Sequence, residues 1–331
     1  MIPGTDLTAV LQAIFRHIIV GAAFFLSKDQ RKSLDRRLRG REEFKMVRDA
    51  DWLLLSWGKS GRTWLRVMLS RFYEVHFQLP AHEMLGFDNL HKANAGVPRV
   101  FFTHGNYLRD YTGRGYDSKV DFRGKKIVLL VRDPRDVAVS QYFQWNFRMR
   151  PNKKFLNDYP PHEQEMSIFQ FMLYREQGLP QVIRYFNGWL TGISEPDGVL
   201  VVRYEDMRQN PHQALAEILE FTGTPGSAAE VADAVDFAAF DNLKKMETDQ
   251  SFSLLRAGRR LLPGDKSNPD SYKVRRAKVG GYRDYFSDAE LEQLDAMVDR
   301  DLLPGLGYRR DETGPATLIG NRTAMVAAQD D

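Results

Sequence analysis

The chain contains no cysteine. That excludes a disulfide framework, a cysteine-ligated zinc site, an iron–sulfur cluster and a thiol nucleophile. It leaves the compartment open, because a chain without thiols tolerates any redox poise. A dominant charge is also lacking. The 47 basic and 44 acidic residues leave a net charge of +3, too balanced for a surface given over to nucleic acid. No internal repeat or low-complexity tract is present. The seven histidines include no HExxH pair and no acidic metal cluster is evident, so no metal is expected. What remains is 331 residues, 43% hydrophobic and 12% aromatic, the composition of a globular chain of one or two domains.

The longest apolar stretch runs from Leu7 to Leu26, but Arg16 and His17 interrupt it, and residues 18–26 are too few to span a bilayer. No basic residue precedes it, so a secretory leader is not expected. Leu7, Leu11, Ile14, Phe15, Ile18, Ala22 and Phe25 recur at helical spacing, which predicts an amphipathic helix. Seven basic and two acidic side chains follow in residues 28–41, a local charge of +5. Two readings fit: a helix docked on the protein or on a partner subunit, or peripheral contact of residues 7–41 with an anionic membrane. The expected organisation is an N-terminal helix and basic linker (1–50), a catalytic domain (51–310) and a loosely held tail (311–331). A cytoplasmic location is expected, with or without the membrane contact, and the oligomeric state is open.

Short apolar runs at residues 51–56, 99–103, 125–131 and 199–203 predict buried strands, alternating with helices over 62–74, 134–147 and 211–221. This is an α/β chain with a doubly wound parallel sheet flanked by helices. Residues 249–274, rich in Ser, Gly, Pro, Asn and Asp, predict a basic loop. Ser287 and Glu290 have capping-box spacing at the head of a last helix.

The first turn after a strand reads Ser56-Trp-Gly-Lys-Ser-Gly-Arg-Thr-Trp64. Glycines, hydroxyls and a lysine between a strand and a helix N-terminus suit a phosphate, although the order is not the GxxxxGK[ST] of nucleoside-triphosphate P-loops. Arg132 ends the third strand, at the edge where doubly wound sheets bind ligands, and Ser140 lies two helical turns on. The fourth strand ends Val202-Arg-Tyr-Glu-Asp-Met207, and Arg275-Arg-Ala-Lys-Val-Gly280 follows near the C-terminus. His104 directly follows the second strand, at the same edge as Lys59.

Together these motifs resemble the sulfotransferases that use 3′-phosphoadenosine 5′-phosphosulfate (PAPS), in order and spacing over about residues 51–300, with features of bacterial and carbohydrate-type members. The resemblance implies a P-loop-like fold and a 5′-phosphosulfate loop formed by Lys59, Ser60, Gly61, Arg62, Thr63 and Trp64. It implies 3′-phosphate contacts from Arg132, Ser140, Arg275, Arg276 and Ala277, and an adenine site beside Tyr204 and Phe240, with Trp64 as a second stacking ring. His104 is the implied base, and Lys59 the implied cation on the leaving phosphate. Departures are visible. Arg62 stands where the cytosolic enzymes favour threonine, Phe102 where the histidine motif has lysine, and Ala277 where glycine is usual. Gly281-Tyr282 replaces Asp-Trp, and Ala238-Ala239 lacks the usual hydroxyls. Arg62 is the candidate to supply the cation missing at Phe102.

The expected reaction is in-line sulfuryl transfer to a hydroxyl of a lipid, glycan, alcohol or phenol, without metal. The alternatives are a nucleotide-dependent kinase or phosphotransferase on the same type of sheet, or an inactive membrane-associated nucleotide-binding protein. The acceptor pocket falls to residues 75–97, 107–122, 145–185 and 249–272, whose composition does not identify the acceptor.

Overall fold

The computed structural model describes residues 7–80, 83–193, 198–249, 264–265, 267–272 and 275–312. Four strands, β1 (Trp52–Ser56), β2 (Val100–Thr103), β3 (Lys126–Val131) and β4 (Gly198–Arg203), form one parallel sheet in the order β2-β1-β3-β4. Helices precede and separate them: α1 (Leu7–Ala22), α2 (Lys28–Asp49), α3 (Arg62–His76), α4 (Asn89–Ala93), α5 (Asn106–Thr112), α6 (Pro134–Phe147), α7 (Pro151–Leu156), α8 (Ile168–Met172) and α9 (Leu179–Leu190). After the sheet come α10 (Tyr204–Gln209), α11 (Pro211–Thr222), α12 (Ala228–Phe237), α13 (Phe240–Asp249) and α14 (Asp288–Asp301).

The strands are apolar throughout because helices cover both faces. Leu53, Leu55, Ile127, Leu129 and Val201 point to one core, filled from α6, α9 and α14 by Val137, Tyr185, Phe186 and Leu294. Leu54, Val128, Leu130 and Val202 point to the other, filled from α3, α11 and α12 by Leu65, Phe72, Leu215 and Val231. The register pairs Leu54 with Val128 and Leu53 with Ile127, so the two-residue alternation keeps each set on its own face. The predicted strands and helices of this sheet form within two residues of their expected ends. Helix α6 starts on Pro134 behind Asp133, whose carboxylate accepts from Arg135 N–H. Ser287 and Glu290 form their capping box.

The strand order places a topological switch between β1 and β3. The chain leaves β1 towards β2 and later crosses to the other side through β3 and β4. The carboxyl ends of those two strands diverge into a crevice there.

The basic segment after residue 27 is helical over 22 residues and lies along α5. Gly40 makes this approach possible, since a Cβ there would run into the Tyr107 carbonyl oxygen and Tyr111 Cβ. Much of its charge is paired internally: Arg36 with Asp110 (2.8 Å) and Asp158, Arg39 with Asp35 (3.0 Å), and Lys32 with Asp158. Helix α1 turns its one arginine inward. Arg16 is buried against Asp35 (3.2 Å) and Glu42, while Phe15, Ile18 and Phe25 are 60–76% exposed. No helix of the described residues is long and apolar enough to cross a membrane.

Candidate active site

A cleft of about 1650 Å³ opens over the carboxyl ends of the strands. One side of it is made by the turns that leave β1, β2, β3 and β4. The β1 turn enters α3 through two left-handed residues, Lys59 (φ 76°) and Gly61 (φ 96°). Glycine is required at 61 twice over: the backbone is left-handed, and a Cβ would lie 2.5 Å from Cδ2 of Tyr204. No side chain caps the head of α3, whose free N–H groups and positive dipole end therefore remain available to an anion. Lys59, Arg62, Thr63 and Trp64 line the cleft. Ser60 does not. It is fully buried off the cleft surface, and its Oγ has no hydrogen-bond partner.

Burial, reinforced by repulsion from Arg148 and Arg132, lowers the Lys59 ammonium to about 7. A cation so destabilised gains from any anion that enters. Arg132 leaves β3 with its guanidinium carbon 4.5 Å from the Tyr204 ring centre. It donates to the Lys59 carbonyl (3.3 Å), the Lys278 carbonyl (3.2 Å) and Asp136 (3.3 Å). Its Nε is buried without a hydrogen-bond partner among the described residues.

His104 leaves β2 beside this loop. Its Nδ1 meets the Ser56 carbonyl, which can only accept, so Nδ1 carries the proton and Nε2 presents a lone pair. Arg62 Nη2 donates to that Nε2 at 2.9 Å. Burial first, then the Arg62 charge, holds the imidazole well below its ordinary value, so it is neutral near pH 7. Phe102 lines the cleft nearby, with the Arg66 guanidinium carbon 4.6 Å from its ring centre.

The C-terminal motif closes the other end of this side. Arg275, Arg276, Ala277 and Lys278 line the cleft with Ser140, Tyr204 and Phe240. Arg275 lies 3.5 Å from the Phe143 ring centre and donates to the Tyr285 hydroxyl at 2.6 Å; Arg276 donates to the same hydroxyl at 3.1 Å. Ala277 is left-handed (φ 49°), which gives the physical reason a glycine suits this position. Trp64 is fixed by its indole N–H on the Ala238 carbonyl (2.9 Å) and meets Tyr204 edge-on; it lines the cleft, as does Phe240.

Two carboxylates escaped the sequence reading. Asp136 is buried on α6 and accepts from Gly280 N–H and Tyr282 N–H, both at 2.9 Å. It thereby ties the C-terminal motif to the helix that follows Arg132. Its spacing of four from Arg132 was the available signal. Glu43 comes from α2 and lines the cleft near Arg62. It accepts from Leu108 N–H at 3.1 Å, and burial raises its carboxyl to about 7 against the opposing pull of Leu108 N–H, Thr103 and Arg62. Nothing in the sequence connects residue 43 to residue 104.

The far side of the cleft is built from helices. Tyr107 on α5 donates to Asn157, at the end of α7, at 2.8 Å; Gln177 donates to the Asn157 carbonyl at 2.6 Å; Arg36 of α2 donates to the Leu156 carbonyl at 2.7 Å. Lys119, fully buried, donates to the Tyr116, Gly188 and Thr191 carbonyls and holds the Tyr116 turn on the end of α9. Of the four ranges expected to shape the acceptor pocket, 107–122 and 145–185 line the cleft at several positions each. Residues 75–97 contribute only Met84, and the described part of 249–272 only Gly264. Residues 250–263, 266 and 273–274 of the expected basic loop lie outside the described residues. Residues 151–156 form a short helix begun by Pro151. Among the described residues no group of His, Asp and Glu could hold a metal ion.

The sulfotransferase domain family matches residues 49–304. Cytosolic sulfotransferase 13 of Arabidopsis thaliana is 25% identical over 277 residues, covering 78% of each chain. The 3-alpha-hydroxysteroid sulfotransferase of Cavia porcellus is 26% identical over 271 residues, covering 78% of this chain and 85% of its own. In fold, the chain is similar to mouse sulfotransferase SULT7A1 complexed with PAP. The TM-score is 0.50 at 20% identity, with 76% of this chain and 84% of that one covered.

Proposed function

Because the chain belongs to the sulfotransferase domain family, we propose that it transfers a sulfuryl group from PAPS to an acceptor hydroxyl, with His104 as base and Lys59 as the cation on the departing phosphate. The observation that carries this reading is the convergence of a neutral histidine lone pair, a destabilised lysine and Arg132 around an uncapped helix head. The residues fit an anionic donor: buried Arg132 Nε lacks a partner, and the Gly61 cradle leaves backbone N–H groups open.

Residue roles follow from charge. The head of α3 and Thr63 hold the donor's 5′-side oxygens, and Arg132, Ser140, Arg275 and Arg276 read the 3′-phosphate through charge-assisted contacts. Trp64 and Phe240 flank the base. His104 Nε2 takes the proton of the acceptor hydroxyl as its oxygen bonds to sulfur and the bond from sulfur to the bridging phosphate oxygen breaks. Lys59 neutralises the charge left on that oxygen. The acceptor hydroxyl takes the place on Nε2 that Arg62 holds in this structure. The released guanidinium, still beside the reacting centre, supplies the cation that Phe102 lacks.

Calorimetry with adenosine 3′,5′-bisphosphate (PAP), ATP and AMP, without metal, tests the reading. PAP should bind in preference to both. Above pH 7 Lys59 is mostly neutral in the free protein and regains its proton against the ligand. Binding should therefore take up protons, and affinity should fall as pH rises. Preference for ATP, or a requirement for Mg²⁺, returns the kinase reading. In labelled transfer, His104→Gln should lose roughly 10²- to 10⁴-fold in turnover while keeping PAP affinity.

The exposed face of α1 supports peripheral membrane contact as a further part of this reading. Leu11, Ile14, Phe15, Ile18 and Ile19 lie on one exposed stripe, and α2 adds exposed Arg37, Arg41 and Lys45 for an anionic surface. The chain should co-sediment with phosphatidylserine-containing liposomes and lose that on removal of residues 1–26; equal recovery of both forms rejects the contact.

A further inference from the structure

The cleft of about 1650 Å³ exceeds the roughly 300–1,000 Å³ of a single small-molecule site, so it has room for a donor and a sizeable acceptor. The charges on its helical side are unevenly matched. Arg36 is paired with Asp110 and Asp158. Arg109, Arg150 and Arg184, on or beside α5, α7 and α9, also line the cleft, and none has a carboxylate partner among the described residues. Arg184 donates only to Gln181 Oε1 (2.7 Å). Arg109 sits five residues after His104 with its guanidinium carbon 3.9 Å from the Tyr116 ring centre, and its Nε is buried without a hydrogen-bond partner among the described residues. Lys153 adds positive potential at His104 itself. On the other side of the balance, Asp158 is exposed but occupied by Lys32 and Arg36, Glu43 is held by Leu108 N–H and lies near Arg62, and Glu176 is a further exposed carboxylate of this wall.

Arg109, Arg150 and Arg184 line one cleft, and their like charges favour the entry of an anion. Their planar forks suit a carboxylate, sulfate or phosphate, and the ring under Arg109 fixes one fork in place. None is needed for the donor, whose cations lie on the turns from β1 and β3 and on the C-terminal motif.

Resting on the proposed sulfuryl transfer, we infer that the acceptor is itself an anion: a hydroxyl compound carrying a carboxylate, sulfate or phosphate that Arg109 reads, with Arg150 and Arg184 at the outer end. The reacting hydroxyl lies at His104, and the anionic group lies further out along α5. Arg109 is thus a specificity-determining residue.

The test uses the full chain. PAP binding is measured first; if PAP does not bind, the donor reading fails and the inference fails with it. On the PAP-loaded protein, two matched pairs are compared by calorimetry: 4-(hydroxymethyl)benzoate against its amide, and glucuronate against glucuronamide. Each pair differs in charge and hardly in shape. The charged member should bind at least roughly tenfold tighter, the scale of one charge-assisted contact. The advantage should shrink as salt is raised. Arg109→Gln should remove most of it and Arg109→Lys retain part, with PAP affinity held in both. Arg184→Gln, at an exposed position that does not threaten folding, should remove a smaller share. The inference is overturned, with the donor reading intact, if PAP binds and the pairs show no charge preference, if neither charged member binds, or if the preference survives in Arg109→Gln.

Discussion

At one side of the cleft Lys59, His104, Arg132 and Tyr204 each lie within three residues of the end of a strand. At the other, Arg36, Glu43, Arg109 and Lys153 come from three helices spread over residues 28–156. The strand-end side is fixed by the sheet. Once the register is set, the turns emerge at one edge, and their conformations are dictated locally by residues such as Gly61. The helical side has no such frame. Its surface exists because α2 lies on α5 through Gly40 and because Asn157 gathers contacts from Tyr107 and Gln177. A reaction common to a family can be carried by the first kind of construction. On the proposed reading, acceptor choice, which has to vary, falls to the second, since helices can be repacked without disturbing a strand register.

Two glycine substitutions separate the two sides. The larger effect is expected from Gly61→Ala. It places a side chain in a left-handed conformation, costing roughly 1–2 kcal/mol, and against the Tyr204 ring. PAP affinity should drop by roughly tenfold or more, the equivalent of about 1.4 kcal/mol or more, measured by calorimetry. Unchanged affinity would mean that the turn does not hold the donor. The smaller effect on the donor is expected from Gly40→Ala. Overpacking α2 against α5 should cost roughly 1–3 kcal/mol and lower Tm. PAP affinity should stay within roughly twofold, because the proposed donor contacts lie on the strand-end turns and the C-terminal motif, while acceptor KM rises. If Gly40→Ala weakened PAP as much as Gly61→Ala, the two sides would not be independent.

The strands, the helices that follow them and the strand-end residues were legible because each depends on short-range pattern: an apolar run, a glycine turn, a proline at a helix start. The resemblance to sulfotransferases could be drawn from those same segments. Ser60 shows where this stops. It sits inside a legible motif, yet its side chain points into the protein, and hydroxyl orientation within a turn is not written in residue type. Residues 28–49 show the same limit on a larger scale. Their basic composition reads equally well as a linker or a membrane patch. The acids of α5 and of the turn after α7, more than 60 residues away in sequence, show that Lys32 and Arg36 are spent on the fold.

The sequence by itself determined the strands, the parallel sheet and the side chains at its carboxyl edge, because hydrophobic runs and alternation are local patterns, whereas the strand order β2-β1-β3-β4 and its switch point came from the structure. The tertiary structure decided that Nδ1 of His104 is turned to Ser56 so that Nε2 presents the lone pair, that Glu43 from α2 stands near Arg62, and that Arg109 faces the cleft without a carboxylate partner among the described residues. Each of these depends on burial and on neighbours brought together by packing, and neither desolvation nor long-range contact is recorded in the order of the residues.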